Sequence, residues 1–256
     1  MSQGDYAEKK AFFDRVLTLY GRKPALEALR DATLECHVLH LAHSNRQGGI
    51  VAELIAAAEA RNIPIERHSR EQLSRISRNG KQDQGVALDV ICPAFQSLGD
   101  YLRGLGQESV QRLLALDGIT NPQNLGMIVR SAAAGNIHGL LWAQKGNAAP
   151  GPLVVKASAG TLYRAPVLSC NELPAALASC REHGMEVCTL EASAGMSLFE
   201  YRPAGHCVFV LGNETHGVSP AAARLANRAL SIPMNNGVES LNVAVTASLI
   251  AYADML

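Results

Sequence analysis

The sequence predicts an α/β fold in which helices cover both faces of a mostly parallel sheet. Short apolar segments alternate with helical patterns along most of the 256 residues, and these segments are as uniformly apolar as strands that are buried on both faces. Polar loops follow several of the strands. Because ligands of parallel sheets bind beyond the carboxyl ends of the strands, we expect a functional site among these loops.

The first half of the chain, residues 17–92, is predicted to form a small α/β domain. Its helices repeat apolar residues at helical spacing, and its strands are short and apolar. The predicted helices span residues 23–30, 50–60 and 70–76, and the predicted strands span residues 34–41, 63–65 and 85–91. Residues 93–111 contain proline and several glycines, which is typical of a linker, with one short helix around Tyr101.

The second half, residues 112–256, repeats the alternation with longer periods and is predicted to form a separate domain. Its expected strands span residues 113–116, 138–142, 187–190, 208–211 and 230–232, and its expected helices span residues 125–134, 171–183 and 220–226. A last helix, opening with Glu239, Ser240 and Asn242, continues almost to the C-terminus. Because this helix carries both apolar and polar residues, we expect it to contribute to the core and to the site.

The composition is that of an ordinary globular protein, with 48% hydrophobic and 18% charged residues. No apolar run approaches the roughly 20 residues of a membrane span, and the first ten residues lack a signal-peptide core, so we expect a cytoplasmic protein with no membrane partner. Six cysteines are scattered without a CxxC pair, which indicates reduced thiols. The formal net charge is zero, so the overall charge does not indicate nucleic-acid binding.

Two local clusters each allow two interpretations. Cationic residues crowd residues 61–81, either as a solvated helix face or as a surface that binds a nucleic-acid backbone. Histidines recur at every third position, His37, His40 and His43, a spacing that suggests a metal site. Because apolar residues interleave as in a strand, and no cysteine or acidic cluster accompanies the histidines, we expect no metal.

The first of three polar loops follows the strand at residues 113–116 and enters a helix near Asn124. Gly126 permits a close approach of another backbone or of a ligand. Arg130 lies in an apolar stretch of the same helix, so it needs an anionic partner, which is either a structural ion-pair partner or a bound anion. Asn124 and Arg130 are six residues apart, so they are not neighbours on one helix face.

The second polar loop, residues 212–217, follows an apolar strand and places Glu214 between two glycines, where it is suited to pair with Arg130. His216 is a candidate general base, although an isolated loop histidine is more often incidental. The third loop, residues 232–242, runs through an Asn-Asn-Gly turn to a helix N-terminus, where unpaired backbone N–H groups collect. The chain contains no dinucleotide fingerprint, phosphate loop or nucleophile elbow.

In this order and wording, the three loops closely resemble the motifs of the SpoU (TrmH-type) RNA 2′-O-ribose methyltransferases of the SPOUT superfamily. The matching motifs are Asn-Pro-x-Asn-x-Gly-x-x-x-Arg-Ser-Ala from Asn121, Gly-Asn-Glu-x-x-Gly from Gly212, and Ile-Pro-Met-x-x-x-Val-x-Ser-Leu-Asn-Val from Ile232. Residues 20–29 and 84–86 resemble the substrate-binding extension of the family, which is related to a ribosomal-protein RNA-binding fold. Asp83 stands where the family usually has His, and Ala244 where it often has Ser.

The resemblance implies a C-terminal trefoil knot that binds S-adenosylmethionine, and a homodimer with each active site near the subunit interface. It also implies that the first domain binds RNA. The implied catalytic residues are Asn124, Arg130, Glu214, Ser240 and Asn242. The implied cofactor-binding residues are Thr189, Leu190, Leu211, Gly212, Asn213, Gly217, Ile232, Met234, Ser240 and Leu241.

Methylation of a ribose hydroxyl requires the hydroxyl to be held in line with the methyl group, so positioning supplies much of the catalysis. Because a guanidinium keeps its proton, we expect Arg130 to anchor the target phosphate and stabilise the developing alkoxide, with Glu214 orienting it. Ser240 and Asn242 would hold the ribose or the cofactor carboxylate. The leading hypothesis is therefore a methyltransferase acting on rRNA or tRNA, and the alternative is an inactive RNA-binding or ribosome-associated protein with the same fold.

Overall fold

The computed structural model describes residues 3–46 and 48–255. The chain divides into two compact units. The first comprises the residues up to Pro93 together with Pro150–Pro152, and the second comprises Ala94–Ala149 and the residues from Leu153 onward. None of the helices in the described residues is long and apolar enough to cross a membrane.

The first unit contains a four-stranded sheet of mixed direction. Its elements are α1 (Gln3–Asp14), β1 (Val16–Tyr20), α2 (Arg22–Arg30), β2 (Glu35–Ala42), α3 (Ile50–Ala60), β3 (Ile65–His68), α4 (Arg70–Ser77) and β4 (Val86–Ile91). The strand order is β1-β4-β2-β3, with β4 antiparallel to both of its neighbours and β2 parallel to β3. The sequence pattern missed α1 and β1, and it placed β3 two residues too early.

Local sequence explains where the helices of this unit begin and end. Ser69 accepts a hydrogen bond from the backbone N–H of Gln72, whose side chain accepts one from the backbone N–H of Ser69, and this capping box starts α4. Arg78 ends α4 in the left-handed conformation. Asp83, which stands where a histidine was expected, is buried and accepts hydrogen bonds from the Ser77 hydroxyl and the Gly85 backbone N–H. The carboxylate therefore closes the turn that leads into β4.

The second unit is built on a seven-stranded sheet. The elements after β4 are β5 (Gln96–Ser97), α5 (Leu98–Arg103), β6 (Arg112–Leu116), α6 (Pro122–Ala134), β7 (Gly139–Ala143), α7 (Pro152–Ala157), a 3-10 helix (Thr161–Arg164), β8 (Val167–Cys170), α8 (Leu173–Glu182), β9 (Glu186–Leu190), β10 (Cys207–Leu211), α9 (Pro220–Ala223), β11 (Arg228–Leu230) and α10 (Val243–Tyr252). The strand order is β11-β9-β10-β6-β7-β8-β5, and every neighbouring pair is parallel. The predicted α/β class with a mostly parallel sheet is confirmed.

The core of the second unit is formed by alternate strand residues packed under helices. Buried residues of α5, α8 and α9 join alternate residues of the central strands in one apolar cluster. The C-terminal helix, α10, packs against α6 and β10. Each of β6, β7 and β10 is buried along its whole length, as strands covered on both faces must be.

The segment predicted as a linker is part of the second unit. Gln96 and Ser97 pair with β8, and the Ser97 hydroxyl caps α5 by accepting from the backbone N–H of Asp100. Leu98 and Leu102 are buried in the core cluster. The prediction of a linker at residues 93–111 is therefore wrong for most of this range, whereas the short helix expected around Tyr101 is confirmed as α5.

The last strand and the last helix differ from the expected bounds. Strand β11 ends at Leu230, so Ile232 lies in the loop beyond it. Helix α10 begins at Val243, and the Asn242 side chain caps it by accepting from the backbone N–H of Ala244 at 2.8 Å. Glu239 and Ser240 therefore belong to the loop and not to the helix. This cap defines the end of the third polar loop.

Candidate functional site

The three polar loops leave the same edge of the sheet. In the parallel register, Leu116 of β6 pairs with Leu211 of β10, and Leu190 of β9 pairs with Leu230 of β11. The backbone N–H of Asp117 extends the first of these pairs by donating to the carbonyl of Leu211 at 2.8 Å. Because these parallel strands end together, the loops that follow β6 and β10 begin side by side, and the loop that follows β11 begins at the same edge on the other side of β9.

The loop after β10 is held tightly by its own residues. The Asn213 side-chain amide donates to the Gly118 carbonyl at 2.8 Å, and its oxygen accepts from the backbone N–H groups of Thr215 and His216. A side chain added at Gly212 would overlap the backbone of Gly217, so this position requires a glycine. The loop therefore presents Glu214 at its tip on a defined scaffold.

Two residues that sequence reasoning missed fasten these loops. The Asp117 carboxylate accepts from the backbone N–H of Ser219 at 2.6 Å. The Asn147 side chain accepts from the backbone N–H of Ile119 at 2.8 Å and donates to the carbonyls of Leu116 and Ala143. A polar residue directly after a buried strand was the available signal for Asp117. Nothing in the sequence marked Asn147.

A hydrogen-bonded cluster joins the three loops. The side-chain amide of Asn124, which is 8% exposed on α6, donates to the Glu214 carboxylate. The Asn242 amide donates to the Asn124 oxygen at 3.3 Å. Asn124 lies on the helix after the first loop, Glu214 lies in the second loop, and Asn242 ends the third loop. Asn124 is hydrogen-bonded to both of the other residues. Three of the five predicted catalytic residues are thus in one network.

Arg130 is not part of this network. Residues 123, 127 and 130 form an exposed stripe of α6, whereas residues 124, 125 and 128 face inward. Within the described residues, the Arg130 guanidinium makes no hydrogen bond or ion pair. The expected pairing of Arg130 with Glu214 is wrong. Glu214 contacts Asn124, and the helical rotation from position 124 to position 130 directs the Arg130 side chain to a different face of α6. Arg130 is available to an anion from outside the chain.

The loop after β11 offers backbone donors. The N–H groups of Ile232 and Leu241 have no acceptor among the described residues, and neither has that of Gly212 in the loop after β10. The Ser231 backbone fixes the start of the loop by donating to the Met196 carbonyl at 2.8 Å and accepting from the Leu198 N–H at 2.7 Å. The Gly212 and Ile232 amides lie just beyond strand ends, where polar ligands bind in parallel sheets, and the Leu241 amide lies next to the N-terminus of α10.

The remaining predicted cofactor-binding residues differ in their environments. Thr189 is buried, and its hydroxyl donates to Glu191 and to the Arg228 carbonyl. Leu190 and Leu211 end their strands. Met234 is half-buried, and Ser240 is exposed in the third loop. The hydroxyl of Thr189 is therefore already engaged.

Small residues bring α10 against α6. A side chain at Gly135 would lie 2.6 Å from the Ala251 carbonyl oxygen, so the end of α6 touches the backbone of α10. The Ser131 and Ser248 hydroxyls are 2.7 Å apart. Arg112 of β6 is buried, donates to the Ile250 carbonyl at 2.8 Å and pairs with Asp254 at 2.5 Å. These contacts fix the last segment and hence the position of Asn242.

Comparison with known proteins connects this geometry to one family. The profile of the SpoU rRNA Methylase family matches residues 111–252, and the profile described as RNA 2′-O ribose methyltransferase substrate binding matches residues 18–94. A relative from Mycolicibacterium smegmatis, named as an uncharacterized tRNA/rRNA methyltransferase, is 34% identical over 250 residues, which cover 97% of this chain and 78% of the relative.

Two solved structures have the same fold over nearly the whole chain. A TrmH-family protein from Porphyromonas gingivalis is 25% identical, with a TM-score of 0.60 and coverage of 97% of this chain and 91% of its own. The SpoU methyltransferase AviRb from Streptomyces viridochromogenes, solved with S-adenosylmethionine, is 20% identical, with a TM-score of 0.59 and coverage of 98% and 92%.

Proposed function

Because the chain belongs to the SpoU rRNA methylase family, we propose that it is an RNA 2′-O-ribose methyltransferase that acts on rRNA or tRNA. S-adenosylmethionine is the methyl donor in this family. The observation that carries the proposal is the network of Asn124, Glu214 and Asn242, because it connects the three family motifs at the edge of the sheet where ligands bind. A cytoplasmic location is part of the proposal, because rRNA and tRNA are its substrates.

The chemistry of the loop ends fits the methyl donor. The backbone N–H groups of Gly212, Ile232 and Leu241, which lack acceptors among the described residues, match the acceptor atoms of an adenosine and an amino-acid carboxylate. Met234, which is half-buried, supplies apolar surface in the same loop as Ile232 and Leu241. When bound, the donor supplies a methyl group activated by a positively charged sulfonium. We assign the cofactor to these residues together with the other strand-end residues that the resemblance implies.

The side chains of the network serve to position the ribose. Glu214, held by the Asn124 amide, accepts a hydrogen bond from a ribose hydroxyl, and Ser240 and Asn242 complete the polar lining. Arg130 binds the phosphate next to the target nucleotide and stabilises negative charge on the attacking oxygen. Glu214 of the same chain does not orient Arg130, contrary to the expectation from the sequence, because its carboxylate contacts Asn124.

The proposed homodimer would bury the exposed stripe of α6 at the subunit interface. Met127 on this stripe is 43% exposed, and Val245 on the adjacent helix α10 is 47% exposed. A second copy of the chain packed on these two helices would remove both apolar side chains from water. It would also place Arg130 at the subunit interface, near the active site. The proposal includes the trefoil knot that the resemblance implies, in which the tail threads a loop.

The activity is testable with purified protein. Tritiated S-adenosylmethionine and rRNA or tRNA from a strain lacking this gene should yield labelled RNA, and nuclease digestion with mass spectrometry should identify 2′-O-methyl nucleosides. Base-methylated nucleosides would contradict the ribose specificity. Binding of S-adenosylmethionine by calorimetry without transfer to any rRNA or tRNA would favour the inactive RNA-binding alternative.

The role of Arg130 is testable by a conservative change. Arg130→Lys keeps the charge but loses the planar pair of donors, so we expect turnover to fall by at least tenfold while S-adenosylmethionine binding is retained. Arg181→Lys is the matched control, because Arg181 is exposed on α8, away from the three loops, and should have unchanged turnover. Normal turnover of Arg130→Lys would contradict the proposed bidentate contact.

A further inference from the structure

A polar row crosses one face of the four-stranded sheet in the first unit. The register aligns Thr18 of β1 with Asp89 of β4, and His40 of β2 with Glu66 of β3. His68 lies two residues after Glu66, so both side chains point to the same face of β3. Asp89 lies two positions along β4 from Ala87, the residue that pairs with His40, so the five polar side chains lie on one face of the sheet.

Three side chains at one end of the row converge. The His40 Nδ1 atom is 3.0 Å from the His68 Nε2 atom. The Glu66 Oε2 atom is 3.6 Å from the first nitrogen and 3.5 Å from the second. Two imidazole nitrogens and one carboxylate oxygen thus form a nearly equilateral triangle.

The size of this triangle matches a metal site. Ligands bound tetrahedrally to Zn²⁺ at about 2.0–2.1 Å lie about 3.3 Å from one another. The separations between Glu66 and the two rings exceed the usual hydrogen-bond range, so hydrogen bonding does not explain the position of the carboxylate. Two histidines and one carboxylate are also a ligand set that zinc adopts with a fourth position left to water.

The rest of the row prepares His40 as a ligand. The Asp89 carboxylate lies 3.2 Å from His40 Nε2 and accepts a hydrogen bond from the Thr18 hydroxyl at 2.6 Å. With the Asp89 carboxylate as acceptor at Nε2, the proton of His40 lies on that nitrogen, and the lone pair of Nδ1 faces Glu66 and His68.

We propose that His40, Glu66 and His68 form a binding site for one divalent transition-metal ion, with Zn²⁺ the best match, and that Asp89 orients His40 from behind. His40 is buried, whereas the side chain of Glu66 is 57% exposed, so the fourth coordination position is open to solvent water. The metal would join β2 to the edge strand β3. Neither His37 nor His43 is part of the site.

The test measures metal binding and needs no methylation. The full-length protein is treated with a chelator, dialysed, and titrated with zinc chloride under equilibrium dialysis. We expect one zinc ion per chain. His68→Gln and Glu66→Gln should each weaken binding by at least tenfold, and Asp89→Asn by about 10–100-fold. The matched controls are the exposed His43→Gln and Glu59→Gln, which should bind as the wild type does.

Cobalt chloride separates this site from the six cysteines. The proposal predicts the visible absorption of a tetrahedral cobalt site with nitrogen and oxygen ligands, which is lost in His68→Gln. Absence of stoichiometric zinc binding, equal affinity in His68→Gln and wild type, or thiolate charge-transfer absorption would each overturn the proposal, and the two rings would then share an ordinary hydrogen bond. Circular dichroism establishes that each variant is folded, which matters most for Asp89→Asn because Asp89 is buried.

Discussion

Replacing Asn124 with aspartate tests the network at its central residue. The substitution preserves the shape of the side chain but exchanges the donor amide for a carboxylate that faces Glu214. Two unit charges about 3 Å apart repel by about 1.4 kcal/mol in water and by about 5.5 kcal/mol at an effective dielectric constant of 20. Because Asn124 is 8% exposed whereas Glu214 is exposed, we expect a destabilisation of about 2–3 kcal/mol at neutral pH.

The sign of the pH dependence follows from the same repulsion. Burial next to Glu214 raises the folded-state pKa of the introduced carboxyl above its unfolded value. The introduced carboxyl therefore destabilises the folded state least at low pH, where it is protonated. The free energy of unfolding falls as the pH rises through the raised pKa. The deficit of Asn124→Asp relative to the wild type should be largest at neutral pH and should shrink as the pH is lowered to about 4.

Urea unfolding followed by the fluorescence of Trp142, the single tryptophan of the chain, measures this deficit in the second unit. Asn136→Asp is the matched control, because the Asn136 amide also donates to a carboxylate, that of Asp254, but at an exposed position where we expect less than about 1 kcal/mol. Equal deficits in the two variants, or a deficit independent of pH, would refute the reasoning.

Three further predictions concern the packing around the site. Gly126→Ala should destabilise the second unit by about 1–3 kcal/mol in urea unfolding, because the added carbon would lie 2.8 Å from the backbone that follows α7; an unchanged midpoint would contradict this packing. Asp254→Asn should cost about 3 kcal/mol in the same assay, because it leaves the charge of Arg112 buried without its ion-pair partner. Met127→Lys should convert the proposed dimer to a monomer in light scattering, and an unchanged mass would exclude an interface on α6.

Much of the fold could be predicted because the second unit repeats strongly apolar strands. Strand β10 has five fully buried residues, and the prediction missed only its first residue. Elements with weak patterns were missed. Strand β5 has two residues, and β1 pairs at the edge of a sheet where only alternate residues are buried. Their positions depend on pairing with strands that are distant in the sequence.

The part of the candidate site that lies in the three sequence motifs could be predicted. Glu214 and Asn242 were expected beside Asn124, and the structure places all three in contact. The position of Arg130 was not anticipated, because the apolar residues around it suggested burial, whereas its helical phase places it on the exposed stripe. The convergence of His40 with His68 could not be predicted, because it depends on the register between two strands separated by a helix.

The central claim is that the residues at this edge of the sheet methylate a ribose hydroxyl of RNA. The most direct measurement is a map of 2′-O-methyl nucleotides in rRNA and tRNA from cells with the gene, without it, and with the gene carrying Arg130→Lys. We predict that at least one 2′-O-methyl group disappears on deletion, returns with the wild-type gene, and returns only weakly with Arg130→Lys. An identical map in all three strains would contradict the account.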